Sequence, residues 1–336
     1  MDKNYFIWID WMKVLAMYLI IAGHYFVPGY PYIYVFSVPS FFILCGYLFK
    51  KEPWNVFIKK SFWNLIVPMM LLLIINAVYK SLVNSWDFLS FIKVIIRSMA
   101  GYQGENYAFG GLGALWFVYT LIVCRLIIQV ILNTVHKRII LLITIFLFLI
   151  ACVIYNRIEV SPYLQFNSIV NALLALPFFS IGFLLSFYKE RICSLHMGIK
   201  TVLLFMVSVI LVYFCGNHNG LVYLYKCSFG RYLSLCFLGG MAGVYGLFFL
   251  SRLCEICFGH RKAIEILGQG TIIILGLHVI LLSLLTELRF SLFPGENGSG
   301  FDRYLLSLLI LLVFIPINIF CKRYLPILFG KLRVAR

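Results

Sequence analysis

The chain has 336 residues, of which 63% are hydrophobic and only 12% are charged, and this composition indicates a polytopic membrane protein rather than a soluble one. The net charge of +16 would suit a nucleic-acid-binding protein, but here the basic residues lie between apolar runs. That pattern follows the positive-inside rule of membrane proteins, so we expect no nucleic-acid partner.

About ten apolar runs have the roughly 17–25 residues that a helix needs to cross a bilayer. The predicted spans are, in chain order, residues 7–27, 32–49, 56–79, 112–133, 138–155, 168–188, 199–216, 230–250, 268–288 and 304–321. We therefore predict an all-α fold with about ten transmembrane helices, in one domain over residues 1–336 with no appended soluble domain. Pro39 is expected to break or kink the second span, because proline lacks a backbone N–H. The connection 80–111 contains an apolar segment with Lys93 and Arg97, which we predict to be an interfacial helix.

An even number of spans puts both termini on one side of the membrane, and that side carries most of the Lys and Arg residues of the connections. By the positive-inside rule, we expect both termini to be cytoplasmic.

Three ionisable residues, Asp10, Lys13 and His24, lie within the first predicted span. A charged group at the centre of a transmembrane helix costs roughly 2.5–3.5 kcal/mol, so such groups usually face a protein interior or a wet cavity. At about 100° per residue, His24 points within about 20° of the direction of Lys13 and lies about 16 Å further along the axis. The three groups form one polar stripe, with Asp10 and Lys13 near the cytoplasmic face and His24 near the outer face.

This stripe allows two interpretations. His24 can act as a general base or a nucleophile, because imidazole titrates near neutral pH. Lys13 can pair with Asp10 one turn away, or it can meet a phosphate that enters from the cytoplasm. Alternatively, the polar triplet holds neighbouring helices together without any chemistry. Three ionisable groups in one span exceed what packing requires, so we favour a functional role.

The later motifs are weaker individually. The segment Pro39–Tyr47, with Gly46, favours close helix packing. Trp116 begins the fourth span and is typical of an aromatic belt at a membrane interface. Arg125, in the cytoplasmic half of the fourth span, can extend towards the membrane surface or meet a phosphate. His278 lies near the middle of the ninth span, where packing and function are equally compatible with the sequence.

The ten cysteines do not form a disulfide pattern, since most of them lie in or beside apolar runs, where Cys behaves as a small hydrophobe. Cys254, Cys257 and His260 are spaced like metal ligands but lack a second ligand pair, so we expect no metal site.

Four of these segments, in this order, resemble the motifs of the acyltransferase 3 family of integral membrane acyltransferases. The matching pieces are Asp10, Lys13 and His24 in the first span, then Pro39–Tyr47, Leu115–Phe117 and Gly268–His278. The family typically carries Arg at the position of Lys13, so lysine here keeps the charge but loses the two-pronged guanidinium. The resemblance covers nearly the whole chain.

This resemblance implies transfer of an acyl group, most often acetyl, from cytoplasmic acetyl-CoA to a hydroxyl of an extracytoplasmic glycan or lipid-linked sugar. It implies a membrane-bound O-acyltransferase of a bacterial inner membrane, in contact with membrane lipid. On that basis we expect His24 and Asp10 to be catalytic. The residues expected to bind acyl-CoA are Lys13, Arg125, Lys59 and Lys60, and those expected to line the substrate cavity are Trp116, His278, Gly46 and Tyr47.

Two other classes of protein stay open on the sequence. A transporter or flippase of glycan intermediates also combines many spans with intramembrane charge and with segments interrupted by Gly or Pro. The chain shows no convincing internal repeat, which counts against transport. A non-catalytic membrane sensor or assembly partner is the third interpretation.

Overall fold

The computed structural model describes residues 6–101, 113–135, 139–157, 168–195, 197–226, 228–292 and 300–330. Regular structure in these ranges is helical, apart from an isolated antiparallel bridge between Tyr223 and Ser228. Nine helices of the described residues are long and apolar enough to cross a membrane. The prediction of an all-α polytopic membrane protein is therefore confirmed.

Fourteen α-helices follow one another along the described chain, numbered here in order. They are α1 (Ile7–His24), α2 (Tyr30–Leu48), α3 (Trp54–Ser61), α4 (Val67–Asn84), α5 (Phe88–Met99), α6 (Trp116–Thr134), α7 (Ile140–Arg157), α8 (Ser168–Leu185), α9 (Lys189–Cys193), α10 (Ile199–Asn219), α11 (Leu233–Phe258), α12 (Lys262–Gln269), α13 (Thr271–Leu292) and α14 (Gly300–Tyr324). A π-helical segment, Phe62–Ile66, joins α3 to α4 without a break.

Eight of the ten predicted spans each overlap a single α-helix, whereas the third covers α3, the π-helical segment and α4, and the ninth begins in α12. Helix α7, Ile140–Arg157, covers the fifth predicted span. The predicted interfacial segment forms α5, whose N-terminus is capped by the Asp87 carboxylate, which accepts a hydrogen bond from Ser90 N at 3.0 Å. The rest of that connection, residues 102–111, lies outside the described residues.

The expectation that Pro39 breaks the second span is wrong, because α2 runs through it without interruption. Proline removes a single helical hydrogen bond, and membrane helices tolerate this when nearby side chains bond the backbone. The hydroxyl of Ser40 donates to the carbonyl of Phe36, one turn back, at 2.7 Å. The carbonyl that Pro39 leaves without its helical donor is the neighbouring one of Val35, so this bond lies beside the gap and does not fill it.

The ninth span also begins later than predicted. Gly268 lies in the separate short helix α12, which ends at Gln269 with Gly270 as its C-cap, and α13 begins at Thr271. The break has a packing cause: a Cβ on Gly270 would lie 2.1 Å from Asn318 Nδ2 of α14, which itself donates to Ile266 O at 3.3 Å. The side chain of Asn318 therefore occupies the space beside the junction of the two helices.

The chain divides into two compact units. Unit 1 contains residues Met1–Phe41, Ser194–Val222 and Phe229–Phe329, and unit 2 contains Phe42–Cys193, Tyr223–Ser228 and Gly330–Arg336. In unit 1, helix α1 packs against four others, α11, α12, α13 and α14, and α10 packs along α11. In unit 2, α8 packs against both α6 and α7, and α4 packs against α5.

Glycines permit a very close helix contact in unit 2. A Cβ on Gly46 of α2 would lie 2.0 Å from Phe179 O, and a Cβ on Gly182 of α8 would lie 2.0 Å from Ile43 O. The two backbones therefore touch, and any larger side chain at either glycine would force them apart.

Candidate active site

One end of helix α1 carries an ion pair. The Asp10 side chain is buried, with the residue 6% exposed, and its Oδ1 accepts a hydrogen bond from Lys13 Nζ at 3.3 Å. A Cβ on Gly268 of α12 would lie 2.7 Å from the same oxygen. The Asp10 carboxylate therefore occupies the space that the missing side chain of Gly268 leaves open.

A polar network on α12 helps to fix Gly268 in place. Glu265 accepts hydrogen bonds from Lys262 Nζ at 3.0 Å and from Gln269 Nε2 at 3.0 Å, and its other partner is the His260 ring at 3.1 Å. These bonds, that from Lys262 above all, lower the pKa of the Glu265 carboxyl. Lys322 of α14 donates to Gln269 Oε1 at 2.8 Å, so the network ties α12 to α14.

The turn before α12 is also fastened to α1. Gly259 ends α11 with a left-handed backbone, at φ 60°, and its carbonyl accepts a hydrogen bond from Trp11 Nε1 at 3.1 Å. Trp11 follows Asp10 directly. One turn of α1 therefore carries the buried carboxylate and also bonds the turn that leads into α12.

The other end of α1 carries His24, its last helical residue. The half-buried His24 ring lies 5.1 Å, centroid to centroid, from the His278 ring of α13 and 6.5 Å from the Tyr34 ring of α2. Within the described residues, no hydrogen bond holds the His24 imidazole. Its ring nitrogens are therefore available to a ligand.

His278 is fully buried, and its own helix fixes its protonation pattern. Its Nδ1 lies 3.0 Å from the carbonyl oxygens of both Ile274 and Leu275. A carbonyl oxygen only accepts hydrogen bonds, so Nδ1 is the nitrogen that carries hydrogen. In the neutral ring Nε2 then bears a lone pair, and this buried atom has no hydrogen-bond partner in the part of the chain that the structure describes.

The turn after His24 has a strained backbone. Phe26 N donates to Gly23 O at 3.0 Å and Val27 N donates to Ala22 O at 3.3 Å, the two bonds of a Schellman ending. This ending needs a left-handed residue, which is Phe26 at φ 51° rather than the usual glycine. A bulky residue there costs about 1–2 kcal/mol.

Helix α14 holds this strained turn in place. Arg303 Nη1 donates to Phe26 O at 2.9 Å, and the Tyr304 hydroxyl donates to Pro28 O at 2.5 Å. The position of His24 is therefore set by contacts on both sides of the turn.

The two ends of α1 meet the two ends of the late motif. Asp10 contacts Gly268 and His24 contacts His278, so the segment Gly268–His278 follows α1 in the same direction. The motif that marked the ninth span thus places one residue beside each end of the polar stripe.

Arg125 lies in α6, in unit 2. Its guanidinium stacks on two aromatic rings, with Cζ 5.3 Å from the Phe49 centroid and 5.8 Å from that of Phe57. Among the described residues it has no hydrogen bond or ion pair, and its Nε is buried. Its N–H groups are therefore free to bind an anion.

A cleft of about 550 Å³ opens beside helix α3. It is lined by two lysines together with polar and aromatic side chains, namely Asn55, Val56, Lys59, Lys60, Trp63, Asn64 and Gly330. Lys60 forms an ion pair with Glu52, whereas Lys59 has no ion pair or hydrogen bond within the described ranges. Trp63 and Asn64 belong to the π-helical segment, a local geometry that is frequent at functional sites.

The other predicted cavity residues lie in packed regions of unit 2. Trp116 is 9% exposed, and its ring is 6.3 Å from that of Tyr225. Gly46 lies against the Phe179 backbone, and the adjacent Tyr47 is buried. The close approach predicted for Gly46 is present, while the substrate role of these three residues stays a prediction.

Within the described residues, no three His, Cys, Asp or Glu side chains are grouped to hold a metal ion. Of the three residues spaced like metal ligands, His260 faces Glu265, and Cys257 is exposed.

Sequence reasoning missed two groups of residues. The stacking of Arg125 on Phe49 and Phe57 joins separate segments, and no local spacing indicates it. Trp63 and Asn64 had a usable signal, because an aromatic and an amide directly follow the Lys59–Lys60 pair.

Comparison with known proteins identifies a family. No curated protein and no solved structure is significantly similar to the chain. The model of the acyltransferase 3 family, described as an acyltransferase domain, matches residues 6–322 and so includes both ends of the polar stripe and the late motif. This multi-pass membrane protein therefore belongs to the acyltransferase 3 family.

Proposed function

We propose that the chain transfers an acetyl group from cytoplasmic acetyl-CoA to a hydroxyl of a glycan or lipid-linked sugar on the opposite face of a bacterial inner membrane. Both termini are cytoplasmic in this proposal, so the Asp10 end of α1 faces the cytoplasm. Membership of an acyltransferase family supports acyl transfer. The observation that carries the chemistry is His24, half-buried and without a hydrogen bond among the described residues, beside His278.

His24 acts as the general base in this reaction. It takes the proton of the acceptor hydroxyl as that oxygen bonds to the thioester carbonyl carbon. The carbon–sulfur bond then breaks, and His24 returns the proton to the leaving thiolate of CoA. In a two-step variant, the imidazole nitrogen takes the acetyl group as the carbon–sulfur bond breaks and CoA leaves as the thiolate. The hydroxyl then attacks the acetyl-imidazolium, which releases the imidazole, and the hydroxyl proton passes to the CoA thiolate.

Several cations are available for the phosphates of CoA. In unit 2, Lys59 has no partner among the described residues and lines the cleft beside Trp63, whose ring can stack on an adenine. Arg125 presents a free guanidinium. An ion pair with Glu52 holds Lys60 in place, and an ion pair with Asp10 does the same for Lys13. Because charge-assisted bonds to phosphate are strong, these residues suit an anionic donor better than a neutral one.

The family match favours this proposal over the two other classes. Neither a flippase nor a sensor needs to consume a thioester. Either would leave acetyl-CoA intact, whereas the proposed enzyme releases free CoA.

The donor is tested by incubating the purified protein in lipid nanodiscs with radiolabelled acetyl-CoA and a lipid-linked glycan extract. We expect label in the glycan and free CoA in solution. Lys59→Ala should raise the KM for acetyl-CoA by about tenfold and leave kcat unchanged, since it loses a phosphate contact. Lys200→Ala, which removes an exposed lysine of α10, is the matched control and should leave both constants unchanged.

The acceptor is tested in cells by mass spectrometry of surface glycans with and without the gene. We expect one class of glycan to lose the mass increment of an acetyl group when the gene is absent. Identical glycan spectra, together with no label transfer from acetyl-CoA in nanodiscs, would contradict the proposal.

A further inference from the structure

We propose that His278 is a positioning residue, which accepts a hydrogen bond from His24 on its Nε2 and so aims the other His24 nitrogen at the acceptor hydroxyl. This inference rests on the proposed function and assigns a specific role to a residue otherwise expected only to line a cavity.

The first support is the unsatisfied nitrogen of His278. Its Nδ1 already donates to the carbonyls of Ile274 and Leu275, so the ring has only Nε2 left to use. This Nε2 is buried without a partner in the described part of the chain. Leaving a buried acceptor unpaired costs about 1–3 kcal/mol, so a partner donor at this nitrogen would be stabilising.

The second support is the distance between the two rings. Two imidazoles joined edge to edge by an N–H···N bond of about 2.9 Å have centroids about 5.2 Å apart. The His24 and His278 centroids are 5.1 Å apart, with 50° between the ring planes. A twist about the N···N line does not lengthen such a bond, so the separation and tilt of the two rings are compatible with one, and rotation of the half-buried His24 ring is the movement that would form it.

Tyr34, which also lies beside His24, already has a hydrogen-bond partner. The ring of Tyr34 lies 6.5 Å away, but its hydroxyl donates to Gly23 O at 2.9 Å. Asp10 lies on the same helix about 21 Å along the axis, at a rise of about 1.5 Å per residue. His278 is therefore the side chain placed to receive the His24 N–H.

The consequence concerns the proton that His24 takes from the acceptor hydroxyl. With one His24 N–H donated to His278, the lone pair of the other nitrogen faces the hydroxyl. The proton moves to that nitrogen as the oxygen–carbon bond forms, and it leaves to the CoA thiolate as the carbon–sulfur bond breaks. His278 gains and loses no proton, so it holds the imidazole in the way that the aspartate of a catalytic triad does, without a second buried charge.

The test compares two substitutions of His278 by kcat and KM for acetyl-CoA. His278→Phe keeps a ring but loses the acceptor, so we expect kcat to fall by about a hundredfold with KM within about twofold. His278→Gln keeps an oxygen that can accept from His24, and we expect its kcat to be at least about tenfold above that of His278→Phe.

His218→Phe is the matched control. The exposed His218 of α10 has the same local bond, with Nδ1 3.0 Å from Phe214 O, but its ring stacks on Phe214 rather than facing a second histidine. Its kcat should equal that of the wild type.

Three results would overturn the inference. The first is a kcat for His278→Phe within threefold of wild type. The second is an equal loss of kcat in His278→Gln and His278→Phe while both proteins are monodisperse and melt at the wild-type temperature. The third is an equal loss of folded protein in both variants, which would assign His278 to packing. If the wild type itself transfers no acetyl group, the proposed function fails and this inference fails with it.

Discussion

The two ends of helix α1 differ in how their polar groups are satisfied. At the Asp10 end, the buried carboxylate is paired with Lys13 and sits against Gly268. At the His24 end, the imidazole has no hydrogen bond among the described residues, and its neighbour His278 has a buried nitrogen without one. The polar atoms at the first end are bonded to each other, as in a structural contact, whereas the ring nitrogens at the second end can still bind a ligand.

The two ends of α1 also differ in the backbone strain of the residues beside them. The His24 end is followed by a left-handed Phe26, whereas the Asp10 end is met by glycine at the point of closest approach. Departures from local rules of stability concentrate at functional sites. We therefore propose that the His24 end is the reactive one and that the Asp10 end supports it.

The largest expected effect on stability comes from Gly268→Ala. The added Cβ would lie 2.7 Å from Asp10 Oδ1, so the ion pair or α12 must shift. We expect a loss of about 3 kcal/mol and a clearly lower melting temperature in detergent. Gly246→Ala is the control, because its Cβ would meet nothing closer than Ser208 Oγ at 3.3 Å. Equal melting temperatures for the two variants would contradict the claim that the Asp10 end of α1 is tightly packed.

Spacing within one helix made the polar stripe predictable. Asp10 and Lys13 lie one turn apart, and their pairing follows from helix geometry alone. The partners of the stripe could not be predicted this way, because Gly268 and His278 are distant in sequence and only packing brings them to α1.

The errors have the same origin in tertiary contacts. The continuity of α2 through Pro39 depends on the surroundings of the helix, which the residue type does not reveal. The break at Gly270 depends on Asn318, which comes from another helix. Helix positions could thus be predicted from hydropathy, whereas local breaks and the residues around the site could not.

A smaller loss of stability is expected when one partner of the Asp10–Lys13 ion pair is replaced. Lys13→Met leaves the buried Asp10 carboxylate without its cation, and we expect a loss of about 2 kcal/mol. Asp10→Asn should cost less, because the Lys13 side chain is 24% exposed and can turn towards water. Thermal melting of both variants in the same detergent checks this order, and Lys13→Arg, which keeps the charge, should melt near the wild type. The reverse order would mean that Asp10 does not depend on Lys13.

The smallest expected effect is a gain in stability from Phe26→Gly. Glycine adopts the left-handed backbone without strain, so the variant should be more stable by about 1 kcal/mol. Phe26→Val should be less stable than the wild type, because a β-branched residue fits this conformation poorly. If Phe26→Gly is more stable but transfers acetyl more slowly, the strained turn contributes to the placement of His24. A lower melting temperature for Phe26→Gly would show that the turn is not strained.

The most direct test of the central claim is acetyl transfer by His24→Ala, measured with radiolabelled acetyl-CoA and the lipid-linked glycan extract. The matched control is His218→Ala, which removes an exposed histidine. We predict that His24→Ala loses transfer by about a thousandfold while it stays monodisperse, and that His218→Ala keeps the wild-type rate. Undiminished transfer by a folded His24→Ala protein would contradict the account.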